Sequence, residues 1–93
     1  MKVILKTFAD YRDITGITEK QFDIEEGLTM DGLLNMLTDT YPGLRPAMFK
    51  DSGRLREFII LMVNGRNIEF LDKMNTRLGE GDVIALFPPV AGG

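Results

Sequence analysis

The chain has 93 residues, 44% of them apolar and 27% charged, the composition of one small globular domain able to bury roughly 60–70% of its unfolded surface. A net charge of −3 argues against nucleic acid, which rewards basic stripes, and no run approaches the roughly 18 apolar residues of a membrane span, so a cytoplasmic protein is expected. Cys and His are both absent, which excludes disulfides, thiolate nucleophiles, cysteine metal sites and the usual neutral-pH general base.

The remaining carboxylates are scattered. Glu25-Glu26 precedes Gly27 as a solvated turn, and Asp72, Glu80 and Asp82 lack the spacing of a calcium loop. Neither an enzyme nor a bound metal or cofactor is expected of this chain.

Lys2 to Phe8 is predicted as a first strand from its β-branched and aromatic content, with Val3 and Leu5 on the core face and Lys2, Ile4, Lys6 and Phe8 on the other. A loop containing Gly16 follows. Lys20 to Glu25 alternates as a half-buried strand does and turns Phe22 and Ile24 inward. Thr29 is placed to cap a helix, with Asp31 in its first turn and Met30, Leu33, Leu34, Leu37 and Tyr41 in one apolar stripe closed by Pro42-Gly43. Gly32 inside that helix costs about 1 kcal/mol against Ala, with no reason visible in the sequence.

Leu44 to Lys50 suits a short helical turn, with Pro46 near its start. Phe58 to Val63 reads as an unbroken apolar strand, with Ile59, Leu61 and Val63 toward the helix. Asn64-Gly65 is a type I′ hairpin signal, with Asn67 to Phe70 returning. Leu71 to Leu78 is a polar connection, Gly79 to Asp82 a turn, and Val83 to Phe87 the last strand. The methionines read as core gap-fillers.

One helix on a mixed sheet is a two-layer α+β domain. With the first two strands as a hairpin and the first and last side by side, the arrangement is the ubiquitin-like β-grasp, four to five strands on one main helix. A ferredoxin-like fold would need a second full helix. The domain is expected to span residues 1–87 and a flexible Gly-Gly tail residues 88–93.

The ending Phe87-Pro88-Pro89-Val90-Ala91-Gly92-Gly93 suits a working segment better than a frayed one. Two prolines hold an extended direction at low entropic cost, and two glycines thread a narrow channel.

This ending, after Gly79-Glu80-Gly81-Asp82 and a strand, resembles the small subunit of molybdopterin synthase. Val63-Asn64-Gly65-Arg66-Asn67-Ile68 is similar to the archaeal branch of that family, which includes small ubiquitin-like modifiers. The long stretch from Pro42 to Arg56 departs from the bacterial subunits and favours that branch.

The resemblance implies that a partner adenylating enzyme, using ATP and magnesium, activates the Gly93 carboxylate. Sulfur capture then gives a thiocarboxylate for molybdopterin synthesis, and capture by a target-protein lysine gives an isopeptide. The molybdopterin synthase large subunit is a further implied partner. Phe87, Pro88, Pro89, Val90, Ala91 and Gly92 would be read by the activating partner. Ile4, Phe8, Phe58, Ile60 and Met62 are expected on an apolar outer face that docks it. An inert tail on a plain β-grasp interaction module is the alternative.

Overall fold

The computed structural model describes residues 1–89; Val90, Ala91, Gly92 and Gly93, and the expectations placed on them, lie outside the described residues. Five strands form one mixed sheet: β1 (Lys2–Thr7), β2 (Glu19–Asp23), β3 (Ile60–Val63), β4 (Arg66–Asn67) and β5 (Val83–Phe87). Their order across the sheet is β2-β1-β5-β3-β4, with β1 and β5 parallel and the other neighbours antiparallel. The first and last strands therefore lie side by side, as the element order predicts.

The main helix, α2 (Met30–Thr40), begins where Thr29 Oγ1 accepts the Gly32 N–H at 3.2 Å. Met30, Leu33, Leu34 and Leu37 are fully buried from it against Val3, Leu5, Leu61, Val63, Ile84 and Leu86 of the sheet. Ile24 is buried, and Phe22 and Ile59 pack half-buried against this core. Ile4 is more exposed than Leu34 or Leu37, so the strand register is the expected one.

Gly32 now has a reason. A Cβ there would lie 2.5 Å from Leu28 Cδ1, so the bare position lets Leu28 fold over the first turn of α2.

Four expectations need correcting. The segment after β1 is not all loop: it holds a seven-residue helix, α1 (Ala9–Thr15), ended by Gly16 in the left-handed region at φ 73° with its N–H on the Arg12 carbonyl at 2.7 Å. The second strand runs from Glu19 to Asp23, not from Lys20 to Glu25.

The strand at FIILMV starts at Ile60, because Phe58 sits at φ 67° and cannot continue a pleat. The return strand is only Arg66–Asn67; Asn67 Oδ1 accepts the Glu69 N–H at 2.9 Å and turns Ile68–Phe70 into a 3-10 turn. The hairpin between them does have positive φ at both Asn64 and Gly65, as type I′ requires.

Helix α3 (Leu44–Met48) joins α1 in closing the core from one end, burying Leu44, Met48 and Tyr11. The Tyr11 hydroxyl is buried with no hydrogen-bond partner among the described residues. Burial pushes its pKa up to about 12, Asp10 adds to the rise, and Arg56 opposes it.

An unfolded tyrosine ionises near pH 10. With the folded value raised, ionisation of Tyr11 takes nothing from stability below that pH, and stability falls as pH rises toward 12 because the unfolded phenol ionises first. Tyr11→Phe is expected to raise stability by about 1 kcal/mol at neutral pH by removing an unpaired polar group. It should also flatten the alkaline fall, as denaturant curves from pH 8 to 12 would record.

Candidate functional site: the outer sheet face at the root of the tail

Alternation along β1, β3 and β5 gives the sheet a second, outer face. The register sets Ile4 beside Val83, Lys6 beside Ala85, Ala85 beside Met62, and Phe87 beside Ile60. Ile4, Met62, Val83, Ala85 and Phe87 are half-buried there, and Ile60 is 37% exposed. Toward the β2 edge the face turns charged, with Lys6 on Glu19 at 3.6 Å and Lys2 on Asp23 at 3.7 Å. The apolar part is thus confined to the middle of the sheet, where β5 leads into the tail.

At that exit the Phe8 and Phe87 rings stack, with centroids 4.3 Å apart and planes 8° from parallel. Phe8 precedes α1, and Ala9 adopts φ 50°, an uncommon backbone for a residue other than glycine. Together with Asp10, Ile60, Phe87, Pro88 and Pro89 they line a groove of about 420 Å³. Asp10 is its single charged lining residue among the described ones.

The other end of β5 is fixed by side chains. Asn64 Nδ2 donates to Asp82 Oδ1 and Val83 N–H donates to Asn64 Oδ1, each at 2.9 Å, while Gly79 N–H donates to Asp82 Oδ2 at 2.7 Å. The hairpin turn is in this way tied to the start of the strand that carries the tail.

Ile4, Phe8, Ile60 and Met62 share the outer face, and Phe87, Pro88 and Pro89 share the groove at its end. Phe58 does not join them. Its left-handed backbone places it beside a different groove, with Leu55, Ile59, Leu61 and Ile68.

Ala9, Asp10, Val83 and Ala85 belong to the site although the sequence reading did not single them out. For Val83 and Ala85 the signal was available in the alternation of the last strand. For Ala9 and Asp10 it lay in the missed helix α1.

Among the described residues, no group of three or more His, Cys, Asp or Glu could hold a metal ion, and no helix is long and apolar enough to cross a membrane.

A small β-grasp domain whose central strand runs out through an apolar groove into Pro-Pro defines a carrier-type ubiquitin-like protein. The ThiS family profile matches residues 5–93, and the chain belongs to that family. It is 33% identical over 93 residues to small archaeal modifier protein 3 of Haloferax volcanii, covering all of both chains. It is 26% identical to the molybdopterin synthase sulfur carrier subunit of Chlamydomonas reinhardtii, again over the whole of both. The crystal structure of SAMP1 from Haloferax volcanii superposes with a TM-score of 0.87 at 30% identity, covering 100% of each chain.

Proposed function

We propose that this chain is a cytoplasmic ubiquitin-like carrier with a domain at residues 1–87 and a reactive tail at residues 88–93, ending in the carboxylate of Gly93. The observation that carries the reading is the tail's root. β5 occupies the centre of the sheet, and its outer neighbours form an apolar face that narrows to the Phe8–Phe87 groove from which Pro88-Pro89 depart. Family membership and the whole-length likeness to a modifier and a sulfur carrier support the same reading.

The chemistry follows from the poor electrophilicity of a carboxylate. A carboxylate oxygen of Gly93 attacks the α-phosphorus of ATP in a magnesium-dependent activating enzyme, and pyrophosphate leaves. Hydrosulfide then attacks the acyl-adenylate carbonyl, AMP and a proton leave, and a thiocarboxylate results, ready to give its sulfur to a molybdopterin precursor on a synthase large subunit. A target-protein lysine attacking the same carbonyl, with loss of AMP and a proton, gives an isopeptide instead.

This chain contributes the acyl group, a narrow end without β-carbons at its last two positions, and a docking face. It contributes no catalytic side chain and binds no cofactor of its own. Val90, Ala91 and Gly92 are read along the partner's channel, after Phe87, Pro88 and Pro89 have set its entrance.

Intact-mass measurement on untagged protein from its own cells tests the proposal. An exchange of oxygen for sulfur, or linkage of Gly93 to lysine in a target peptide, is the expected result. An unmodified Gly93 under every growth condition, with no response to a cognate activating enzyme and ATP, would leave an inert interaction module.

The docking face has its own test. Ile60→Asp puts a carboxylate in the middle of the apolar face while leaving the buried residues Leu61 and Val63 in place. It is expected to cost on the order of 1 kcal/mol of stability. It should weaken the activating enzyme's binding by 2 kcal/mol or more, about 30-fold, measured by calorimetry beside a melting curve. A global loss of fold would place Ile60 in the core and remove this face from the proposal.

A further inference from the structure

Phe58 combines two costs. It is 82% exposed, and it holds a left-handed backbone at φ 67°. For a bulky residue such a backbone is strained, and an exposed ring returns little of the cost through burial. Phe58→Gly is accordingly expected to shift the denaturant unfolding midpoint upward. A residue that folding would do better without marks a place to look for binding.

Phe58 lines a groove of about 320 Å³ between two walls, Leu55 to Ile59 with Leu61 on one side and Asn67 to Glu69 on the other. Phe70, which follows the last lining residue Glu69, is 81% exposed. Lys50 already pairs with Glu57, and the Arg56 Nε donates to the Pro46 carbonyl at 2.9 Å. Glu69 has no ion pair among the described residues, so it offers the groove a carboxylate not already matched by a cation, while Arg56, the one lining cation, is held to the Pro46 carbonyl.

The groove also borders a stretch of strand edge. Asn64 N–H donates to the Val83 carbonyl at 2.8 Å, and the antiparallel register then directs the backbone groups of Ile60 and Met62 toward β5. Those of Ile59 and Leu61 point the other way, toward the place β4 leaves when it stops at Asn67. Neither the N–H nor the C=O of Ile59 has a hydrogen-bond partner among the described residues.

We propose that this groove is a second docking site, separate from the tail root, for a short extended segment of a partner protein that presents a lysine or arginine. The segment's backbone pairs with Ile59 at the open edge, its apolar flank covers the half-exposed Leu55 and Ile59 side chains, and its cation sits against Glu69 beside Phe58. Carboxylate and ring faces both attract a cation, and the unpaired amide and carbonyl select an extended backbone. The site does not depend on Gly93.

The test is amide chemical-shift titration of the ¹⁵N-labelled full chain with two peptides, acetyl-Val-Lys-Val-amide and acetyl-Val-Gln-Val-amide. The lysine peptide is expected to shift Ile59, Leu61, Ile68 and Glu69 saturably and to bind about two- to fivefold more tightly than its neutral match. Glu69→Gln should abolish that preference, and Phe58→Gly should weaken both peptides while the protein itself becomes more stable. Deleting Gly93 should change neither affinity, so failure of the carrier reading would not disturb this one. Absence of saturable shifts, shifts confined to Phe8, Ile60 and Phe87, equal binding of the two peptides, or an unaltered preference in Glu69→Gln would each overturn the proposal.

Discussion

Deleting Gly93, or extending the chain beyond it, is expected to abolish ATP–pyrophosphate exchange with a cognate activating enzyme while leaving the melting temperature unchanged. A carboxylate oxygen must reach the α-phosphorus in line, and an error of about 1 Å in such a geometry can cost on the order of 100-fold in rate. Removing one residue misplaces it by far more. Gly92→Val should be nearly as damaging, because a β-branched side chain both widens the end and restricts its backbone.

Stability should not follow, because the described core is closed by residues up to Leu86. Exchange at the wild-type rate in protein lacking Gly93 would refute the carrier reading.

The reverse separation is expected from Leu86→Ala. Leu86 is fully buried in β5, the central strand of the sheet, and its neighbours across the sheet are Thr7 and Leu61. Truncation there removes apolar contact and leaves a cavity in a two-layer core, for a loss of about 3 kcal/mol. In a domain of this size that lowers the melting temperature by roughly 10–20 °C. At low temperature, where the variant is still folded, its exchange rate should stay within about twofold of wild type, because β5 still delivers Pro88-Pro89 to the same groove. A loss of exchange in the folded variant would show that the tail's direction depends on core packing as well as on the outer face.

Much of this was legible from residues alone, for identifiable reasons. The stripe from Met30 to Leu37 has helical spacing and meets alternating strands, so the core could be read from period and burial together. Asn64-Gly65 declared its turn because few residue pairs accept positive φ twice in succession. Phe58 to Val63 was opaque for the opposite reason. Six apolar residues in a row show no period, and hydrophobicity reports burial without reporting a dihedral angle, so the left-handed break at Phe58 left no mark.

Helix α1 buries Tyr11, with Ile14 left 38% exposed, too thin a stripe in seven residues to announce itself. The return strand stopped early because the Asn67 side chain captured the Glu69 amide, a local competition that composition does not encode. At the candidate site, the outer-face positions on β1, β3 and β5 followed from alternation. Asp10 came into the groove with the helix that the sequence hid.

The position of β5 also governs how the molecule is made. The β1–β2 and β3–β4 hairpins are each local in sequence, but they share no edge, and β5 is the strand that lies between them. Until residue 87 has left the ribosome, the two hairpins have no common sheet and the face of α2 has only part of its floor. Closure then comes in one late step of high sequence separation. A nascent chain interrupted before β5 would expose apolar surface and be open to proteolysis, and it would also lack the tail. Completion of the sheet and completion of the outer face are therefore the same event, so an unfinished chain, lacking Val83, Ala85 and Phe87, offers a partner no surface on which to dock.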